Sequence, residues 1–454
     1  MVDPIATVAQ TKPEWKKPGE YEVKPLETWG KIKEVRRKHA KNIWTAKQEG
    51  KVTILGLVDM ASPLPAGLGE VAVFTLGPNF GRIMDDNALA AQCCEAAEAK
   101  GFGPDTCATL RAQLGSIYLG FHNLSRSGER IPLDFCLEMH VCIAQSKIAR
   151  EMSDHYDIPY HMVEIPGWTD PASQEYFASQ MDDAIHWMEK VTGRTYNDEL
   201  LIEATHIDWR NRVLWARILE LTRHVPSPID LRMIGSMNVM LQVGKTRSAD
   251  LTPVLEELLA ELKDRVANNI AALGVEKVRL IHEGQWPQFS CGSWAPGVIL
   301  RVGVPYGAVF VAGRNAFNIY AAWEVLENGS WRAANNLEEQ GITLKDRGDA
   351  LRSIARLYSE YWPNAVEMQL APRVKHLMAL AKDWHADGVV FNLDRSCHGV
   401  TPGMLESRPI LQEMGIPSMV YEASYCDPRD FDRPKVEEGF ESFLEGMGLT
   451  RGAA

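Results

Sequence analysis

The chain has 454 residues, of which 45% are hydrophobic and 24% are charged. This composition excludes disordered, collagen-like and low-complexity proteins, and the length is enough for about two to four packed units. The 48 basic and 60 acidic side chains leave a net charge of −12, which argues against a general nucleic-acid binder, because such proteins neutralise phosphates with lysine and arginine.

Neither a secretory signal nor a membrane span is predicted. The N-terminal sequence MVDPIATVAQTKPEWKKPGE contains no apolar core and no small-residue cleavage site. The most apolar stretch, Val298–Gly313, is short and is interrupted by Arg301 and Pro305. We therefore expect a cytoplasmic protein that does not bind membranes and whose eight cysteines are reduced rather than paired.

The order of apolar and polar residues predicts strands and helices in alternation. After a polar, basic start, Lys31–Lys41 is typical of a helix with a solvated, charged face, and an alanine-rich helix is predicted at Ala88–Lys100. The predicted strands are Val52–Asp59, Val71–Gly77, Tyr160–Pro166, Val278–Gly284, Tyr306–Gly313, Gly388–Leu393 and Pro417–Ala423. Later helices are predicted within Ser173–His224 and, after Pro226 and Pro228, from there to about Leu273. Others are predicted within Leu344–His385, at Pro402–Met414 and at Pro434–Met447.

Strands that alternate with helices at this spacing indicate βαβ units and parallel sheets. We predict an α/β protein with two parallel-sheet lobes joined by a helical segment. The expected division is an N-terminal helical extension at 1–50, a first lobe at 51–170, a helical segment at 171–274 and a second lobe at 275–454.

Ligands of open parallel sheets bind beyond the carboxyl ends of the strands. That rule selects the loops Gln285–Trp294, Asp394–Gly399 and Ser424–Phe431, each of which contains a cysteine. Nucleotide motifs are missing by comparison. The GKT at Gly244–Thr246 lacks the earlier glycine of a phosphate-binding loop, since that position is Val239, and no strand is followed by GxGxxG.

Cysteine is therefore the residue type that could carry chemistry here. Cys107, Cys142 and Cys397 are too far apart in the chain for a local metal motif, so the fold would have to bring them together. Three soft thiolates suit an iron–sulfur cluster and would leave one iron of a cubane open. Free cysteine is more often a small buried apolar residue, so this alternative stays open for every one of them.

Three segments resemble a known family. Glu98–Gly115, Val225–Gly235 and Asp387–Phe431 are similar, in order and spacing, to the 2-hydroxyacyl-CoA dehydratase / benzoyl-CoA reductase family. Within it, the likeness is greatest to the B-type subunits of class I, ATP-dependent benzoyl-CoA reductases, and it extends over roughly residues 50–450. The resemblance implies flavodoxin-like lobes whose cysteines hold a [4Fe–4S] cluster, here Cys107, Cys142 and Cys397.

The resemblance also implies partners. They are a homologous C-type cluster subunit, whose own cubane could be joined to the first by sulfide, an actin-like ATPase pair that drives the electrons, and ferredoxin as electron donor. The expected activity is anaerobic reduction of an aryl-CoA ring to a cyclohexadienoyl-CoA. A radical 2-hydroxyacyl-CoA dehydratase subunit and a cluster-free scaffold subunit are the alternatives.

Further site residues are hypotheses. Proton transfer would need an acid, for which His398 and Glu283 are candidates. The ring could pack against aromatic side chains in the loop after the strand at 278–284. These are Trp286, Phe289 and Trp294, with ordinary loop packing as the alternative. The phosphates of coenzyme A could meet Arg314, Arg395 or a helix N-terminus. Cys136 could replace Cys142 as a ligand, Cys291 or Cys426 could also ligate, and Cys93 and Cys94 have no assigned role.

Overall fold

A computed structural model describes residues 21–56, 63–75, 83, 86–121, 132–140, 142–167, 169–244, 248–284, 295–313, 317, 320–361 and 370–452. The first of its sheets has four parallel strands. They are β1 (Val52–Gly56), β2 (Val71–Thr75), β3 (Phe135–His140) and β4 (Tyr160–Glu164). Their spatial order is β2-β1-β3-β4. Successive strands are therefore added first on one side of β1 and then on the other, and all of them run parallel.

The second half of the chain builds an equivalent sheet. Its strands are β5 (Val278–Gly284), β6 (Ala308–Gly313), β7 (Trp323–Val325), β8 (Trp331–Ala333), β9 (Gly388–Leu393) and β10 (Ser418–Glu422). The parallel order is β10-β9-β5-β6, while β7 and β8 form a separate antiparallel pair. The prediction of an α/β protein with two parallel, flavodoxin-like lobes is confirmed.

Helices surround and connect the sheets. Up to residue 220 they are α1 (Trp29–Thr45), α2 (Asn87–Glu98), α3 (Ala108–Tyr118), α4 (Ile143–Tyr156), α5 (Pro171–Thr192) and α6 (Asp198–Glu220). Beyond it they are α7 (Leu231–Gly244), α8 (Leu251–Ala267), α9 (Ala295–Gly303), α10 (Arg347–Glu360), α11 (Leu370–Asp383), α12 (Ser407–Glu413) and α13 (Arg433–Gly446). None of the described helices is long and apolar enough to cross a membrane.

Local sequence explains where several helices begin. The Asp86 side chain accepts a hydrogen bond from the backbone N–H of Leu89 at 3.0 Å and so caps α2. Asp170 caps α5 in the same way, and Pro171 occupies its first turn, where a missing N–H costs nothing. The predicted helix at Pro402–Met414 was too long, because only Ser407–Glu413 is helical and Gly403 has a φ of +71°.

The two lobes share a small core beside the first sheet. Helices α2 and α3 pack so closely that a Cβ on Gly115 would lie 1.7 Å from the carbonyl oxygen of Cys93. Cys93, Cys94 and Ala108 from these helices pack against Tyr425 and Cys426, which follow β10 of the second lobe. Apolar side chains of α10, which lies within residues 275–454, pack in the core of the first lobe. The division of the chain into lobes at 51–170 and 275–454 stays a prediction.

Candidate functional site

The three predicted cysteines lie where helices or turns begin. Cys107 is the N-cap residue of α3, and Cys142, just after β3, is the N-cap residue of α4. Cys397 lies in the turn after β9. Since β3 and β9 each have a neighbouring strand on both sides, Cys142 and Cys397 follow interior strands of the two sheets. All three residues keep part of their surface exposed.

Burial and neighbouring charges together raise the pKa of these thiols. Burial is the main reason that the pKa of Cys107 lies well above its usual value, and the charges of Cys397, Asp394 and Cys142 raise it further. Burial also raises the pKa of Cys397 to about 12, with Asp394 and Cys142 adding to the effect. Each sulfur is therefore surrounded by protein although its residue is partly exposed.

Backbone N–H groups oppose this effect of burial at all three sulfurs. The side chains of Cys107 and Cys142 do not form capping hydrogen bonds. The N–H groups of the first helical turn nevertheless carry partial positive charge, which acts to lower the pKa of each thiol. The groups are those of Leu110 beside Cys107, of Ala144 and Gln145 beside Cys142, and of Gly399 and Val400 beside Cys397. These contacts offset only part of the effect of burial, since the pKa of each thiol still lies above its usual value.

The described residues contain no preassembled metal site. Within the ranges that the structure describes, no three His, Cys, Asp or Glu side chains are close enough together to hold one. A mononuclear site draws its sulfur ligands to about 2.3 Å from one ion. A cluster distributes its thiolates around several irons, so that the sulfurs can stay further apart.

The other described cysteines are buried in apolar surroundings. Cys136 has no exposed surface and lies on β3, within the core between the sheet and α4. Cys93 and Cys94 lie on the face of α2 that packs against α3, and the Cys94 sulfur is 4.0 Å from the carbonyl oxygen of Cys426. Cys291 lies outside the described residues.

The candidate acids occupy different environments. His398 is exposed, and its Nε2 donates a hydrogen bond to the carbonyl oxygen of Asp105 at 2.7 Å. Glu283 is fully buried on β5, where its backbone pairs with Phe391 of β9. Arg395 is exposed and pairs with Glu422. The remaining predicted site residues, Trp286, Phe289, Trp294 and Arg314, lie outside the part of the chain that the structure describes.

Asp394 is a site residue that the sequence analysis did not single out. It is the first residue after β9 and is almost completely buried. One of its carboxylate oxygens accepts hydrogen bonds from the backbone N–H and the hydroxyl of Ser396, at 3.0 and 2.7 Å. The other accepts the N–H of Tyr425 at 3.0 Å. Its place at the carboxyl end of a central strand was the available signal.

A network of charged side chains, also missed, joins the lobes nearby. Arg111 of α3 is fully buried and donates to Glu98 and Asp427, at 2.7 Å in each case. Arg429 also donates to Asp427, at 2.6 Å, and to Glu98 at 2.5 Å. Burial alone would raise the pKa of Asp427, but Arg429 and Arg111 hold it below its usual value. The sequence signal was an arginine within a largely apolar helix.

Comparison with known proteins identifies relatives over most of the chain. A family model described as 2-hydroxyglutaryl-CoA dehydratase, D-component, matches residues 87–447. The alpha subunit of (R)-phenyllactyl-CoA dehydratase from Clostridium sporogenes is 23% identical over 363 residues, which are 78% of this chain and 80% of that protein. The B subunit of benzoyl-CoA reductase from Thauera aromatica is 24% identical over 377 residues, 79% of this chain and 80% of that protein. The alpha subunit of lactoyl-CoA dehydratase from Anaerotignum propionicum is 23% identical over 387 residues, 80% of this chain and 84% of that protein.

Proposed function

Because the chain belongs to the 2-hydroxyglutaryl-CoA dehydratase D-component family, we propose that it is the iron–sulfur catalytic subunit of a complex that acts on a CoA thioester. Relatives named as alpha or B subunits imply that further subunits take part. One observation carries the proposal: the two lobes contribute three partly exposed cysteines beyond helix or strand ends, and a hydrogen bond between Ala108 and Ser396 holds the Cys107 and Cys397 segments together.

The donor set has the chemistry that a [4Fe–4S] cluster requires. Cys107, Cys142 and Cys397 would ligate three irons, which leaves the fourth for a ligand that is not a protein thiol. When bound, such a cluster supplies single electrons at low potential. The chain would hold the cluster at the carboxyl ends of two strands, the edge at which open parallel sheets bind their ligands.

The leading candidate reaction is reduction of an aryl-CoA ring. Benzoyl-CoA gains two electrons and two protons and becomes a cyclohexadienoyl-CoA. Ferredoxin would provide the electrons, an ATPase pair would drive them, and a homologous C-type subunit would complete the catalytic half. His398 and Glu283 stay the candidate proton donors. Since the Nε2 atom of His398 binds the Asp105 carbonyl, Nδ1 is the nitrogen left to exchange a proton. The relative named as the B subunit of a benzoyl-CoA reductase supports this reaction.

Dehydration of a 2-hydroxyacyl-CoA is the second candidate. The substrate would lose one water to give an enoyl-CoA, with no net gain of electrons. The relatives named phenyllactyl-CoA, lactoyl-CoA and 2-hydroxyglutaryl-CoA dehydratase support it, at identities equal to that of the reductase subunit within a percentage point. The two reactions therefore differ in a quantity that can be counted, the electrons consumed for each product formed.

The proposal is tested in two steps under anaerobic conditions. Iron and sulfide are first measured in the purified chain, which we expect to contain both, whereas protein without them would favour a scaffold subunit. The assembled complex is then supplied with a measured amount of reductant and ATP, and with either benzoyl-CoA or a 2-hydroxyacyl-CoA. Consumption of two electrons per diene supports the reductase. An enoyl-CoA formed in large excess over the reductant supports the dehydratase.

A further inference from the structure

The loop that contains Cys397 is held against the segment that contains Cys107. The hydroxyl of Ser396 accepts a hydrogen bond from the backbone N–H of Ala108, with 3.0 Å between the two atoms. Ser396 precedes Cys397, and Ala108 follows Cys107. A single hydrogen bond between the lobes thus joins the direct neighbours of two cysteines that are 290 residues apart in the chain.

The direction of this hydrogen bond is determined by Asp394. A serine hydroxyl has one proton to donate, and Ser396 donates it to Asp394 at 2.7 Å. The oxygen is then available as an acceptor, and it faces the Ala108 N–H. Asp394 is itself held by the backbone N–H groups of Ser396 and Tyr425. The hydroxyl proton therefore points to Asp394, which leaves the oxygen to accept the Ala108 N–H of the first lobe.

Helix α3 supplies the matching donor. Ala108 is its first residue, and the N–H groups of the first turn have no partner within a helix. Ser396 is buried, so water does not compete for this N–H. A second contact lies on the other side of Cys397, where His398 binds the carbonyl oxygen of Asp105. The residues on both sides of Cys397 thus contact the backbone around Cys107.

We propose that Ser396 is a positioning residue, which fixes the Cys397 turn against the first turn of α3 and so sets the separation of the Cys107 and Cys397 sulfurs. This inference rests on the proposed function for its purpose, since the separation matters to a cluster that both thiolates hold. The separation itself is a property of the polypeptide and can be measured without iron.

The first test uses the full chain without metal. Its thiols are treated with a short bis-maleimide, and the Cys107–Cys397 cross-link is quantified by peptide mass spectrometry. Loss of one buried hydrogen bond is expected to reduce the cross-linking rate of Ser396→Ala about fivefold. Ser424→Ala is the matched control, because Ser424 is a buried serine of the neighbouring loop whose hydroxyl donates to Asp430 of its own lobe. Its rate should equal that of the wild type.

A second variant removes the other partner of the same hydrogen bond. Ala108→Pro deletes the N–H but keeps the Ser396 hydroxyl, and proline is tolerated at the first position of a helix. The proline ring disfavours an α-helical backbone at the preceding residue, and Cys107, with a ψ of 118°, is not α-helical. The double variant should then be no slower to cross-link than the slower single one. Additive effects, or wild-type rates in both single variants, would overturn the proposal.

The cluster gives an independent measurement. In protein reconstituted anaerobically with iron and sulfide, Ser396→Ala should change the electron paramagnetic resonance spectrum of the reduced cluster and release iron to a chelator about fivefold faster. Ser424→Ala should match the wild type in both. If the wild type takes up no iron, the proposed function fails, while the cross-linking result still decides the positioning role. If iron is bound and Ser396→Ala behaves as the wild type in both assays, the positioning role fails alone.

Discussion

Cys136 and Cys142 are six residues apart, and their surroundings give them different chemistry. Cys136 lies within β3, where burial raises the pKa of its thiol to about 12. Cys142 lies beyond the end of that strand, where N–H groups of α4 counteract part of the effect of burial. The sequence analysis left Cys136 as an alternative to Cys142, because a shift of six residues in the resemblance would exchange them. These surroundings support Cys142, and not Cys136, as the proposed ligand.

Substitution of the proposed ligands should remove the cluster. Serine in place of Cys107, Cys142 or Cys397 is expected to reduce iron retention by more than the roughly 10–100-fold caused by losing an outer hydrogen-bond partner. Iron and sulfide per chain, measured after anaerobic purification, test this. Cys94→Ala is the control, since Cys94 packs inside the protein, and its iron content should be unchanged. Iron loss in the control with retention in the other three would contradict the ligand assignment.

A buried histidine predicts a pH dependence of stability. His282 lies on β5, its Nε2 is 2.8 Å from the hydroxyl of Tyr421, and burial lowers its pKa to about 3. The unfolded chain binds this proton near pH 6.5, so the free energy of unfolding should fall as the pH falls below that value, by about 1.4 kcal/mol per pH unit. Urea unfolding of the wild type and of His282→Gln, between about pH 7 and about pH 5, measures this contribution as a difference in slope. Equal slopes for the two proteins would contradict it.

At the scale of elements, the contact between α2 and α3 depends on one glycine. The Cβ of Gly115→Ala would lie 1.7 Å from the Cys93 carbonyl oxygen, which is backbone and has little room to move. We expect a loss of about 3 kcal/mol or more in the free energy of unfolding, from overpacking. Gly439→Ala in α13 is the control, because nothing lies within 4 Å of its Cβ position. That variant should be stabilised slightly, by up to about 1 kcal/mol. A neutral Gly115→Ala would contradict the close approach.

Most strands could be predicted from their apolar residues, whereas β3 was missed. Its sequence, FCLEMH, contains Glu138, which breaks the apolar run and yet is fully buried. The carboxylate accepts hydrogen bonds from Ser146 at 2.8 Å and from Tyr160 at 2.6 Å. These partners compensate its burial, but they belong to α4 and β4, so the sequence around Glu138 gives no sign of them. The antiparallel pair β7–β8 was missed as well, since each strand has only three residues.

At the scale of the whole molecule, the Arg111 network should contribute strongly to stability. Arg111→Met would remove one of two arginines from the buried Asp427 carboxylate. Breaking a buried pair typically costs about 3–5 kcal/mol, and since Arg429 stays in place we expect about 3 kcal/mol. Denaturant unfolding would measure it. Arg433→Met, which breaks an exposed pair with Glu437 on α13, should have little effect. Similar losses in both variants would contradict the role of burial.

The arrangement of the lobes is the part of the site that sequence could predict least. The motifs predicted which cysteines to consider, and the strand-end rule predicted the Cys397 loop. The contacts that join Cys107 to Cys397 depend on pairs such as Ala108 with Ser396 and Arg111 with Asp427, which are separated by 288 and 316 residues. Nothing local in the chain distinguishes a serine or aspartate that makes such a contact from one that faces water.

The unequal contribution of the two sheets has a consequence for biosynthesis. The half of the polypeptide with the first sheet supplies Cys107 and Cys142, and the half with the second supplies Cys397, which lies 57 residues before Ala454. A nascent chain therefore lacks the third donor until most of this sequence has been translated. If these three cysteines hold a cluster as proposed, a fragment that ends before β9 lacks the third ligand and should retain less iron than the full chain.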